Sequence, residues 1–218
     1  PVGALAVISP SQFKALTPAV IASMSPEQRS ALPRQALNPA ANAAPANTGD
    51  SAALARVLTG WNVDKVPATA FANFKPADAA KLSPQVFSSL NPEQFKAMPA
   101  AAFTGMKPNQ VGALPPDVLA TLKPTQLASM PAAALGSLNT EQFSAMPPAA
   151  FTGMKPTQVG AMPAALISNM SSQQVGALPA RAMAGLKAEQ VSALPPEAMA
   201  TMKPAQVGAL KPAAVASL

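Results

Sequence analysis

The 218-residue chain has no cysteine, no histidine and no tyrosine; aromatic residues make up 4% of it and charged residues 11%. Each gap closes off chemistry. Without His or Cys there is no Ser-His-Asp or Cys-His nucleophile, no imidazole base, and none of the usual ligand sets for zinc, haem or iron–sulfur centres. Without Cys no disulfide can hold the fold. The sequence therefore reads as a non-enzyme with no catalytic residue, metal or cofactor. No apolar run reaches the ~18 residues of a membrane helix before a proline or a charge interrupts it, so no membrane span is expected. The opening Pro1-Val-Gly-Ala-Leu-Ala-Val-Ile8 lacks Met and a basic segment, which leads us to expect a processed protein or a fragment. Fifteen Lys and Arg against nine Asp and Glu give a net charge of +6. At that low density, basicity alone does not make a nucleic-acid or membrane-surface binder.

What the chain does have is 26 prolines beside 49% apolar residues. Proline at that level points to disorder, but disordered chains are poor in large apolar side chains. An internal repeat reconciles the two. Residues 67–218 divide without a gap into 19 octapeptides, and five more fit residues 1–40. Two kinds alternate. Kind A begins with Lys, Asn or Ser and carries Gln at position 4, as in Lys155-Pro-Thr-Gln158-Val-Gly-Ala-Met162. Kind B usually begins with Pro and carries Ala at position 4, as in Pro147-Pro-Ala-Ala150-Phe-Thr-Gly-Met154.

Positions 5 and 8 of each octad are three apart and apolar, which puts them on one face of a helical turn and on opposite faces of a strand. Proline at position 2 suits the first helical residue, where no N–H is needed, and the next octad's proline stops the helix. Gln at position 4 would be the third helical residue and can reach back to the N–H of position 1, as in a capping box. Where position 1 is Pro, with no N–H to satisfy, position 4 is never Gln. Donor and acceptor come and go together, with Thr17/Val20, Ser83/Val86 and Lys211/Ala214 as exceptions, so Gln94, Gln110, Gln126, Gln142, Gln158, Gln174, Gln190 and Gln206 are read as structural caps rather than recognition residues.

All eight Phe and all eleven Met fall at position 5 or 8, which marks those positions as core. Burying two such side chains gains ~3–6 kcal/mol per octad, against an ordering cost of ~1.5 kcal/mol for each residue. An isolated octad therefore cannot fold, and stacking must supply the rest. The expected fold is all-α: an α-solenoid of very short helices in 16-residue coils, each made of two octapeptide repeats. Twenty-four octads would then give 12 coils and a rod on the order of 100 Å long.

The chain divides into three regions. Residues 1–40 hold the N-terminal octads, 41–66 read as a loop and an amphipathic helix inserted out of register, and 67–218 form the main array. In the insertion Leu54, Val57, Leu58 and Trp61 share one side. Trp61, the chain's single Trp, either anchors a contact with another subunit or plugs the register break. Pro1 and Leu218 bound the array, so the expected assembly contacts are Trp61, Leu54, Val57, Leu58, Pro1 and Leu218. Lys75, Lys107, Lys123, Lys155, Lys187 and Lys203 all stand at position 1 of kind A, separated by multiples of 16. In 16-residue coils they would line one edge, either as a solvated border or as a site for an anionic glycan or nucleic acid; with no aromatics interleaved for base stacking, nucleic acid is not expected. Glu93, Glu141 and Glu189 lie 48 residues apart, too far for a catalytic pair, and suit the helix dipole at the second helical residue.

Segments such as Ser25-Pro-Glu-Gln and Asn91-Pro-Glu-Gln-Phe-Lys-Ala-Met98-Pro resemble the proline-punctuated short-helix repeats of the mesothelin and stereocilin family, and the octad arrays of large secreted bacterial proteins. The resemblance implies an extracellular superhelical solenoid. With the end faces left open, it leads to the expectation of a secreted or cell-surface structural protein, a rod that assembles end to end with itself into a filament or adhesin stalk. The alternative is a binding solenoid that uses the Lys edge.

Overall fold

The structure, a computed structural model, describes residues 62–216 without a break, 51–58, 23–33 and positions 5, 8, 9, 12, 13, 16 and 20. The described elements are all helical, with no strand. From Val63 to Val215 a short helix recurs every eight residues, as in Pro92–Ala97, Ala100–Phe103, Pro108–Val111, Pro116–Leu119 and Pro124–Ser129. Three of them, Val63–Lys65, Ala68–Phe71 and Pro148–Gly153, are 3-10 helices. None is long and apolar enough to cross a membrane.

Local sterics set each boundary. A residue that precedes proline is driven out of the α region, and position 1 of the A octads obeys: Lys107 lies at φ −95°, ψ 157°. In the B octads the position-1 proline is itself extended, as at Pro99 with φ −66°, ψ 148°. Position 8 ahead of it is extended too, as at Met98 with φ −63°, ψ 130°. Two consecutive extended residues therefore separate each helix from the next, and the chain changes direction at every octad.

Packing does not follow the 16-residue coil that the sequence alternation suggested. The helices that pack on one another are three octads apart: Pro124–Ser129 lies between Ala100–Phe103 and Pro148–Gly153, and Pro116–Leu119 packs on Thr140–Ala145. Helices two octads apart do not pack appreciably. The cause is the shape of the octad. Positions 4, 5 and 8 all face inward, so Gln94, Phe95 and Met98 are buried together, as are Ala102, Phe103 and Met106. A turn of two octads has no interior to hold three such side chains from each helix, whereas three or more octads can surround one. The A/B alternation survives as a difference in caps, not as the packing repeat.

The core is continuous from Leu54 to Ala214. Phe95 and Phe103, from successive octads, meet edge to face at 5.1 Å, and Phe143 and Phe151 do the same at 5.5 Å. Octads also touch backbone to backbone. A Cβ on Gly105, Gly153 or Gly185 would stand 1.9–2.1 Å from the carbonyl oxygen of Pro76, Pro124 or Pro156. Each of those prolines lies 29 residues earlier, and only glycine permits the approach. Ser137, at the equivalent place, instead sets its hydroxyl 2.7 Å from the carbonyls of both Pro108 and Ala134, either of which can accept its proton.

The region read as an insertion is corrected in its second half. Helix Ser51–Val57 packs on Pro76–Lys81, at the same separation as the array helices. Val63 and Val66 are buried, three apart, in positions 5 and 8 of the octad register. Helix Ser51–Val57 and the 3-10 helix Val63–Lys65 thus take two octad places. They escape the sequence pattern because neither has proline at position 2 or glutamine at position 4. Residues 41–50 lie outside the described residues.

Candidate functional site

The recurring polar element of the array is the glutamine at position 4 of the A octads from residue 91 on. It is 1–4% exposed from Gln94 to Gln206. A buried amide must satisfy one acceptor and two donors or incur a cost of ~1–3 kcal/mol for each unmet group. Gln110 does so in full. Its Oε1 accepts from the Lys107 N–H at 2.7 Å, and its Nε2 donates to the carbonyls of Ala79 at 3.0 Å and Leu82 at 2.6 Å. The same trio recurs at Gln158, which accepts from the Lys155 N–H and donates to Leu127 and Met130. At Gln206 the partners are the Lys203 N–H and the carbonyls of Val175 and Leu178. Gln94, Gln126, Gln174 and Gln190 repeat it, while Gln142 accepts from the Asn139 N–H and donates to Leu114 and, one residue further along, to Gly112.

One half of this joint, the cap on position 1, is local and arises from spacing. The other half crosses to the octad place four octads earlier, to the carbonyls of positions 5 and 8, or of positions 6 and 8 for Gln142, and sequence reasoning did not foresee it. The signal was present: Glu at position 4 would cap as well as Gln, yet it never occurs there in an A octad. A carboxylate has no N–H to give two carbonyls.

The first A octad of the main array departs from this pattern. Asp78, 2% exposed, accepts from the Lys75 N–H at 3.0 Å and from the Ser51 hydroxyl at 2.7 Å. With no donor of its own it closes the joint from the acceptor side, and Ser51 supplies the proton.

The six position-1 lysines are exposed. They do not form one edge. Because octads meet at separations of three and four, lysines 16 residues apart fall on different sides of the stack. Lys75, Lys107 and Lys203 belong to one series spaced by multiples of 32, and Lys123, Lys155 and Lys187 to another. Lys123 turns its ammonium onto the Lys96 carbonyl at 3.1 Å, at the end of a helix 27 residues earlier. Lys187 meets Glu189 at 4.0 Å, with both side chains more than half exposed, a pairing worth little in water.

Of the residues read as assembly contacts, Leu54 and Leu58 are buried in the chain's own core at 4% and 7% exposure. That corrects the reading for those two: their apolar surface already packs within the chain and is not offered to a second subunit. Pro1, Trp61, Leu218 and the side chain of Val57 lie outside the described residues. Exposed apolar positions occur elsewhere. Val20 is 44% exposed and Val207 and Val215 are each 42% exposed. All three occupy slots that the array otherwise buries, as at Val118 and Val111, both 0% exposed.

No three His, Cys, Asp or Glu side chains gather among the described residues. One open hollow of about 400 Å³ lies between Pro156, Gly160, Ala184 and Gly185, with Lys211 as the single charged residue at its wall. No family model matches this chain and no curated protein matches it, so the resemblance to mesothelin-type repeats rests on the octad pattern itself.

Proposed function

We propose that the chain is a non-catalytic structural repeat protein: an extracellular rod, wound as an α-solenoid, that serves as a subunit of a filament or adhesin stalk. The observation that carries this reading is the glutamine joint. It repeats from Gln94 to Gln206, with one acceptor shifted by a residue at Gln142, and it links each of these octads to the octad place four before it. Nothing in such a joint limits the number of octads, which is the property of an extendable rod.

Contacts at three and four octads correspond to a winding of about three and a half octads per turn. The octads from residue 51 to 218 then make about six turns and a rod roughly 50–60 Å long at ordinary helix-packing distances. That is shorter and thicker than two octads per turn would give. An extracellular place for the rod is supported by its likeness to secreted short-helix repeats. The alternative, an anionic ligand held along a lysine edge, draws on six exposed lysines but loses its single edge once they divide into two series.

Sedimentation velocity and negative-stain electron microscopy over a wide concentration range test the reading. Concentration-dependent linear oligomers of constant width are expected. A monodisperse monomer at the highest concentrations, with no fibres, overturns self-assembly. Salt-sensitive retention on heparin, lost when Lys107, Lys123 and Lys155 become Gln, would move the assignment to the anion-binding alternative.

A further inference from the structure

We propose that Asn169 is an acceptor for an N-linked oligosaccharide, the one such acceptor in this sequence. The inference rests on the extracellular reading above, because the sugar is added to chains that enter a secretory route.

Of the nine asparagines only Asn169 begins the acceptor motif Asn-x-Ser/Thr with x other than proline, as Asn169-Met170-Ser171. The fold holds that motif at the surface and outside the helices, where a bulky solubilising group is tolerated. Helix Ala164–Ile167 ends before it and helix Ser172–Ala177 starts after it. Asn169 and Ser171 are exposed, while Met170 between them is 2% exposed and fixes the turn to the core.

Asn169 also departs from its counterparts. It stands at position 7 of a B octad, where the others from Ser89 to Thr201 are Gly, Ser or Thr. At Gly105, Gly153 and Gly185 that position lies against a proline carbonyl 29 residues earlier, with no room for a Cβ. The residue 29 before Asn169 is Thr140, not proline. The Asn169 amide bonds only within its own octad: Nδ2 donates to the Ala165 carbonyl at 2.7 Å and lies 3.5 Å from the Ser168 hydroxyl. The largest side chain found at this position is thus exposed and tied to no other octad.

The chemistry suits the geometry. In the transfer, Nδ2 loses one of its two hydrogens as a proton and forms a C–N bond to the anomeric carbon of a lipid pyrophosphate-linked oligosaccharide. The lipid pyrophosphate leaves with the electron pair of the broken C–O bond. The hydrogen that stays on Nδ2 remains for the Ala165 carbonyl. Ser171, the second recognised residue, accepts from the Gln174 N–H at 3.2 Å and keeps its own hydroxyl proton to donate.

The test translates the full chain, behind a cleavable secretory leader, into microsomes and scores only translocated, protease-protected chains. They should carry a single oligosaccharide that peptide N-glycosidase removes, converting Asn169 to aspartate in the peptide mass map. Asn169→Gln should lose the sugar. Ser171→Asn should lose it too while keeping the helix cap, since Asn91 and Asn139 cap in the same way. Ser171→Thr, which keeps the motif, should retain it. Translocated wild-type chains without sugar, or a sugar that survives in Ser171→Asn, overturn the acceptor. Because the experiment supplies the leader, that failure belongs to Asn169 alone and leaves the extracellular rod standing, whereas a glycosylated chain that forms no linear oligomers keeps the acceptor and removes the filament.

Discussion

Octads 107–114 and 203–210 differ at a single residue, Asn109 against Ala205, and form the same helix, Pro108–Val111 and Pro204–Val207, with the same glutamine cap. Yet Val111 is wholly buried and Val207 is 42% exposed. The difference lies in the neighbouring helices. Helix Ala132–Leu135, three octads on, packs against the first; no described helix occupies that place for the second. An octad's own sequence decides its helix and its cap, while its neighbours decide whether its apolar slots are filled. Interior and end octads are therefore one structure in two states of completion.

The comparison breaks most sharply where a buried joint receives a charge. Gln126→Glu leaves a carboxylate facing the carbonyls of Phe95 and Met98, and should cost about 4 kcal/mol in urea unfolding. Gln28→Glu, exposed, should shift stability by less than about 0.5 kcal/mol. Burial raises the pKa of the new acid in the folded state, so stability falls as pH rises through it. The Gln126→Glu deficit should therefore shrink toward pH of about 4, where the neutral acid can donate to one carbonyl. A deficit that does not change with pH would contradict the joint.

Next comes Gly153→Ala, whose Cβ would meet the Pro124 carbonyl carbon and oxygen and force two octads apart, at about 3 kcal/mol. Gly176→Ala, with nothing within 4 Å, should instead stabilise its helix by up to about 1 kcal/mol. The same sign for both would show that the close approach is not what fixes glycine at residue 153.

Smaller, but most direct, is the valine pair. Val111→Ala should cost about 2 kcal/mol and Val207→Ala about 0.5 kcal/mol. Appending a copy of residues 123–146 after Leu218 supplies the next A, B and A octads. In that longer chain Val207→Ala should cost as much as Val111→Ala, measured by the shift in the urea midpoint. If it does not, position in the array is not what separates the two. The least effect, ~0.5 kcal/mol or less, is expected for Lys123→Gln, which loses one exposed bond to the Lys96 carbonyl.

Much of the local structure was legible. Proline at position 2, the apolar pair at positions 5 and 8, and Gln set against a position-1 N–H are constraints within one octad, so spacing and side-chain chemistry reveal them. The reach of Gln110 to Ala79 and Leu82 was not legible, since its partners are backbone carbonyls, which carry no residue signature. Residues 51–66 were missed for a related reason. Val63 and Val66 serve the joint through their carbonyls and their buried side chains, and neither role needs the proline or glutamine by which an octad is recognised.

Within the regular octads the sequence by itself determined where the helices start, that positions 5 and 8 face inward and which backbone N–H groups are capped, because those choices are made within a single octad. Only the tertiary structure decided that a helix packs on the one three octads away and that the lysines divide into two series. Which helices meet is the sum of the turns at several successive pairs of extended residues, set by the Phe, Leu and Met side chains that fill the space between them. No octad contains that sum.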